Sequence, residues 1–263
     1  MLHDLLIIGV LLCGSRAALW GVTWFDRRGA GAAELSRKLL HVAMGLILCP
    51  LPWLFDGAWP VIVLCAVYVG LLIARRFLVA LDNHVAPVID GVGRRSVGEF
   101  LFPIAVAVVF VLSGGDRAAY LAAMLVLTLA DAAAAVVGRH YGTWRFTTPG
   151  GSKSLEGSAA FAIVAFASVH LTFLLLGSAG RVETVLLALA VALTLTGIEA
   201  VVTGGWDNLL VPVGACLMIK GFQGASASLL LLLLGGVVAT MPVLTLLFTR
   251  LAPAAGVEGG SEA

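Results

Sequence analysis

Hydrophobic positions fall into long, almost unbroken runs separated by short polar segments. The runs cover residues 2–25, 39–55, 58–74, 99–112, 118–138, 157–177, 184–203, 209–219 and 225–248. About 20 apolar residues in a helix cross the ~30 Å hydrocarbon core of a bilayer. Lipid offers the backbone no hydrogen bonds, so a spanning chain must be helical or form a closed barrel. Barrel strands alternate apolar and polar side chains, whereas these runs are uniformly rich in Leu, Val and Ala. The pattern predicts an all-α, polytopic membrane protein of about nine transmembrane helices, with 209–219 the shortest run. Residues 1–250 form one helical domain on this reading, and the Gly/Ala/Glu-rich residues 251–263 a disordered tail. The first run lacks the basic leader and small-residue cleavage site of a secretory signal and is expected to stay as a helix.

Composition agrees: 60% of residues are hydrophobic and 12% charged, with a mean hydropathy of +1.06. The net charge of +1 and the lack of a basic patch argue against a nucleic-acid partner. Cys13, Cys49, Cys65 and Cys216 are scattered through apolar runs without CxxC spacing, which reads as buried thiols. Lys and Arg divide unevenly between alternate loops, 12 against 3, with Arg16 inside the first run. The positive-inside rule then puts the N-terminus outside and the C-terminus in the cytoplasm. The expected location is the inner (plasma) membrane, with the working face toward the cytoplasm. Arg37, Lys38, His41, Arg94, Arg95, Glu99, Asp131, Lys153, Glu156, Glu199, Asp207 and Asn208 all gather toward that side.

Four polar clusters could carry chemistry. In the first, Arg37 and His41 are i,i+4 neighbours on a helix and Lys38 and His41 are i,i+3. This is either an interfacial basic stripe or a cationic shelf for phosphate with His41 as a proton carrier. In the second, Arg94-Arg95-Ser96-Val97-Gly98-Glu99 precedes an apolar run. There Glu99 serves either as a first-turn acid or as a ligand for a metal or a hydroxyl. The third runs from Asp131 through Gly138 to Pro149-Gly150-Gly151-Ser152-Lys153-Ser154 and Glu156. An acid inside an apolar run needs a partner, either an arginine or Mg²⁺, which commonly takes one or two carboxylates plus phosphate oxygens. The Gly-rich segment would supply backbone donors, a Lys and hydroxyls for an anion. Its spacing is not that of a Walker A loop. In the fourth, Glu199 needs a neutralising Arg or metal, and Asp207-Asn208 either cap a helix or bind a ligand.

Taken together, Arg37-Lys38-Leu-Leu-His41, Arg94-Arg95-Ser-Val-Gly-Glu99-Phe-Leu-Phe-Pro103, Leu129-Ala-Asp131 through Gly138 to Gly142, Gly150-Gly-Ser-Lys153-Ser-Leu-Glu156-Gly-Ser158 and Asp207-Asn208-Leu-Leu-Val-Pro212 resemble the polyprenol kinase family in order and content. That family includes phytol, farnesol and dolichol kinases. The resemblance, from Glu34 to Pro212, implies an integral membrane kinase that uses CTP, or another nucleotide, and Mg²⁺ to phosphorylate an isoprenoid or other lipid alcohol. A more distant similarity reaches the phosphatidate cytidylyltransferases, through Asp131, Gly138 and Lys153-Ser-Leu-Glu156-Gly157. Their Gly-Asp-Ser and C-terminal signatures are missing here. On the kinase reading Asp131 holds Mg²⁺, with Glu156 or Asp207 as a second acid. Nucleotide contacts are expected from Arg37, Lys38, Gly138, Gly150, Gly151, Ser152, Lys153, Ser154, Glu156, Gly157, Asp207 and Asn208. Glu99, Glu199 or His41 would take the hydroxyl proton. The alternatives are nucleotidyl transfer from CTP to a lipid phosphate and a secondary transporter. A transporter would place its polar residues at the midplane between repeats rather than crowding them toward one side.

Overall fold

The computed structural model describes residues 1–27, 33–77, 97–148, 151–177 and 180–251. The expected hydrophobic runs are mainly helical, that at 39–55 being split into two helices by a turn at Cys49 and Pro50. The helices are α1 (Leu2–Arg27), α2 (Ala33–Leu48), the short α3 (Leu51–Leu54), α4 (Ala58–Phe77), α5 (Gly98–Ser113) and α6 (Arg117–Leu125). A π-helical turn (Val126–Ala130) joins α6 to α7 (Asp131–Tyr141), and α8 (Leu155–Leu176), α9 (Arg181–Val201), α10 (Asp207–Phe222) and α11 (Ala227–Leu251) follow. Five stretches are long and apolar enough to cross a membrane: Leu2–Arg27, Glu34–Leu54, Arg117–Tyr141, Leu155–Leu176 and Arg181–Val201. Ala58–Ala74, Gly98–Ser113 and Ala227–Thr240 are shorter apolar helices. The expected tail beyond Leu251 lies outside the described residues.

The continuous helix of α6, the π turn and α7 is the central post, touching α2, α5, α8 and α10. Its N-terminal half is buried through Ala119, Ala122, Ala123 and Met124. Tyr120 stacks edge-on against Phe110, with centroids 5.6 Å apart, and donates its hydroxyl to the Leu48 carbonyl at 3.0 Å. Asp116 caps this helix by accepting from the Ala119 amide at 3.0 Å. Helix α1 lies at the edge against α2 and α4, with much of its Leu and Trp surface exposed, as a lipid-facing helix requires.

Small residues set two close approaches. A Cβ added to Gly45 would fall 2.1 Å from Thr128 Oγ1, so only glycine lets α2 lie against the π turn. A Cβ on Gly157 would meet the Ala134 carbonyl at 2.9 Å and Gly138 Cα at 3.2 Å, so Gly138 and Gly157 let α7 and α8 touch backbone to backbone.

One element departs from the expected loop between α7 and α8. Strands β1 (Arg145–Thr148) and β2 (Gly151–Ser154) form an antiparallel hairpin with Arg145 opposite Ser154 and Phe146 opposite Lys153. The connection at Pro149 and Gly150 lies outside the described residues. Trp144 continues the pairing, its carbonyl accepting from the Leu155 amide at 2.8 Å. Exposed Trp24, Tyr141, Trp144 and Trp206 stand at or next to helix ends on the hairpin side of the bundle, while Trp53 and Trp59 stand at or near helix ends on the other side. Aromatic residues at both ends of spanning helices match the two polar boundaries of a bilayer.

Gly45→Ala should therefore destabilise the folded protein by about 1–3 kcal/mol, because Thr128 is fully buried and cannot yield without moving a helix. Thermal unfolding of purified protein in detergent checks this. Adding Thr128→Ala to the same chain should recover part of the loss.

Candidate active site

At the hairpin end, five elements bring charged side chains together from distant parts of the sequence. Lys38 stands in the second turn of α2 and Asp131 opens α7 directly after the π turn. Lys38 Nζ lies 2.6 Å from Asp131 Oδ2, with the lysine side chain 9% exposed and the aspartate 14%. Each charge would be costly alone at this depth, and each neutralises the other. His41, one turn along α2, donates from Nε2 to the Leu127 carbonyl of the π turn at 3.0 Å. The same nitrogen is 3.7 Å from Asp131 Oδ2, and the ring packs edge-on against Phe102. His41 thus ties α2 to the turn that aims Asp131.

A second pair closes the site from the hairpin. Lys153 on β2 reaches Glu199 in the last turns of α9, with Nζ 2.6 Å from Oε1 and a further bond to the Glu199 main-chain carbonyl. A lysine suits this place twice over, meeting a buried carboxylate and the carbonyl end of a helix. Lys153 is 25% exposed against 9% for Lys38, so it is the more open of the two lysines, while Glu199 at 10% is as deeply covered as Asp131.

Asp207, at the start of α10 and ahead of its apolar stretch, completes the cluster. Asp131 and Asp207 both act electrostatically on Glu199, and Asp131, Lys38 and Lys153 all act on Asp207. Burial, reinforced by the Asp131 charge, raises the Asp207 carboxyl above its ordinary range against the pull of the two lysines. Asp131, Glu199 and Asp207 against Lys38 and Lys153 leave one acid in excess, the balance expected of a site that accepts a cation.

Other expected site residues are engaged elsewhere. Arg37 forks onto Glu34, with Nη2 2.6 Å from Oε1 and Nε 3.1 Å from Oε2, although Asp131 and Asp207 still act on it. Glu156, expected as a second metal acid, instead accepts from the backbone amides of Thr143 at 3.0 Å and Trp144 at 3.1 Å, and from the Thr143 hydroxyl. It thereby pins the entry to the hairpin. Ser154 caps α8 by accepting from the Gly157 amide at 3.1 Å, and Gly138 and Gly157 serve helix packing. Asn208 donates to the Gly98 carbonyl at 3.0 Å, tying the start of α10 to the start of α5. Ser152 is exposed on β2, Gly151 pairs with Thr148, and Glu99 lies in the first turn of α5. Gly150, Arg94 and Arg95 lie outside the described residues.

The sequence reading missed Gly45, Thr128 and the π turn. A glycine inside a helix costs about 0.5–1 kcal/mol relative to alanine, so Gly45 in an apolar run is itself a sign of close packing. Among the described residues no three Asp, Glu, His or Cys side chains converge as a complete metal cage. Mg²⁺ does not need one, since it takes one or two carboxylates and leaves its other positions to phosphate and water. Asp131 and Asp207, with the excess negative charge, fit that demand.

The fold and cluster define the class: a helical membrane protein holding an acid–lysine cluster at one end of its helices. Over 198 residues, 73% of this chain and 81% of the other, the sequence is 27% identical to a phytol kinase of Synechocystis sp.. That similarity supports a phytol/polyprenol kinase-like family. No family model and no solved structure matches the chain.

Because its folded pKa is raised, Asp207 holds its proton more tightly in the folded protein than in the unfolded chain. The stability linked to that proton is fully present below about pH 4 and is lost as pH rises through the folded pKa. Asp207→Asn should therefore unfold at a higher temperature than the parent protein at pH 7.5. The gap should narrow as pH falls toward 4, measured by thermal unfolding in detergent.

Proposed function

We propose that this protein is a lipid alcohol kinase that transfers the γ-phosphoryl group of CTP to an isoprenoid or similar alcohol, with Mg²⁺, at the cytoplasmic face of the membrane. The observation that carries the reading is the pairing of Lys38 with Asp131 and Lys153 with Glu199, two pairs within electrostatic reach of each other and of Asp207, in a chain similar to a phytol kinase. Phosphoryl transfer asks a protein mainly for positioning and charge neutralisation, and this cluster offers cations and acids on rigid helices. Lys153, the more open lysine, receives the nucleotide phosphates, and Lys38 neutralises charge near Asp131. Asp131 and Asp207 hold Mg²⁺, which offsets phosphate charge when bound. Glu199 is the best placed of Glu99, Glu199 and His41 to take the hydroxyl proton, because it borders Lys153. His41, anchored to Leu127, is suited to orienting Asp131.

Purified protein supplied with [γ-³²P]CTP, Mg²⁺ and a panel of phytol, geranylgeraniol, undecaprenol and diacylglycerol should yield labelled phospholipid and CDP. Asp131→Asn and Lys153→Met should each lower turnover at least about 100-fold, the scale seen when a charge-stabilising group is removed from an active site. Label retained in CTP with every alcohol would reject the kinase reading. Pyrophosphate with CDP-lipid would instead indicate nucleotidyl transfer, and solute flux into liposomes without nucleotide would indicate a transporter.

A further inference from the structure

We infer that Glu199 makes nucleotide binding conditional on a divalent cation, and so selects a metal-bearing nucleoside triphosphate over the bare polyphosphate. The inference rests on the proposal that Lys153 receives nucleotide phosphate. In the structure Lys153 is not waiting for an anion. Its ammonium lies 2.6 Å from Glu199 Oε1 and is held by the main-chain carbonyl of the same residue. To reach a phosphate it must leave that carboxylate.

What Lys153 leaves behind decides the energetics. The Glu199 side chain is 10% exposed, so water replaces little of the lost partner. Asp131 and Asp207 already act on it with like charge. A bare polyphosphate would draw the lysine away and add its own negative charge beside three poorly solvated acids. A polyphosphate arriving with a divalent cation brings compensating positive charge to the same acids. The deeper pair need not open, since Lys38 and Asp131 are less exposed than Lys153 and lie on elements other than the hairpin. Glu199 is thus a displaceable counter-ion. It admits the metal-bearing nucleotide and penalises metal-free nucleotide and small anions such as inorganic phosphate.

The outcome expected on replacing Glu199 is the opposite of what a simple ligand or scaffold would give. The full chain in detergent is dialysed to equilibrium against radiolabelled CTP, once with Mg²⁺ and once with EDTA. The parent protein should bind CTP at least tenfold more weakly in EDTA. Glu199→Gln, which frees Lys153 without leaving a charge, should bind metal-free CTP about tenfold more tightly than the parent, within the range of ordinary coupling between sites. Its preference for the metal complex should shrink accordingly, and Lys153→Met should bind both forms poorly. If Glu199→Gln does not fold, Glu199→Asp withdraws the carboxylate by one methylene and should shift metal-free binding the same way by a smaller factor. The inference is overturned if neither folded variant gains metal-free affinity, or if the parent binds both forms equally. A parent that binds CTP under neither condition overturns the nucleotide reading itself. Lys153→Met binding like the parent shows that phosphate goes elsewhere.

Discussion

A lysine and an aspartate that hydrocarbon cannot solvate must find each other, and the contact between Lys38 and Asp131 fixes much of what surrounds it. It sets the height of α2 against the central helix, because the two residues are 93 positions apart and meet only when both helices are in register. It requires close approach, which Gly45 allows two turns further along α2, where any larger side chain would strike Thr128. It also requires the central helix to change its winding just before Asp131. The π turn widens the helix there and presents the Leu127 carbonyl to His41. Insertions of this kind recur at functional sites because they aim one side chain without ending the helix.

The helices were legible in the sequence because lipid enforces them. A backbone that cannot bond to solvent must bond to itself, so each long apolar run has one outcome. The charged residues were legible one by one for a related reason: Asp131 and Glu199 stand in apolar runs where an unpaired acid is untenable. Their partners were not. Sequence reasoning expects an arginine or a metal beside each, and the fold supplies Lys38 and Lys153 instead, since only the packing of α2 and the hairpin decides which cation arrives. Glu156 shows the converse, a local partner that sequence reasoning did not name. Its place after a Gly-rich segment suggests a ligand, yet the backbone turn at Thr143 and Trp144 lies nearer and takes both of its oxygens.

The hairpin was missed although its signals are present. Phe146, Thr147 and Thr148 favour extended backbone, Pro149-Gly150 marks a turn, and Ser152 to Ser154 return. Glycines beside a lysine and hydroxyls read equally well as a flexible anion loop, and the choice depends on whether strands can pair. Pairing matters for the site, because it places Lys153 on a braced strand rather than a loose tether. Phe146 opposite Lys153 and the Trp144–Leu155 bond lock the register that aims the ammonium at α9.

The two pairs also differ in depth. Asp131 begins an 11-residue helix that ends at Tyr141, so at 1.5 Å per residue it sits roughly 15 Å below that end. The central helix, at 25 residues, is longer than the ~30 Å hydrocarbon core demands, which leaves room for its end to stand in the polar boundary. Glu199 lies within the final turn of α9 and Lys153 on the hairpin, both near that boundary. A lipid alcohol keeps its hydroxyl at the boundary while its tail stays in hydrocarbon, and a nucleotide can arrive only from water. In the proposed reaction the outer pair is therefore the one a polyphosphate meets first. The inner pair keeps Asp131 in place below it, where hydrocarbon ends and the two reactants can meet.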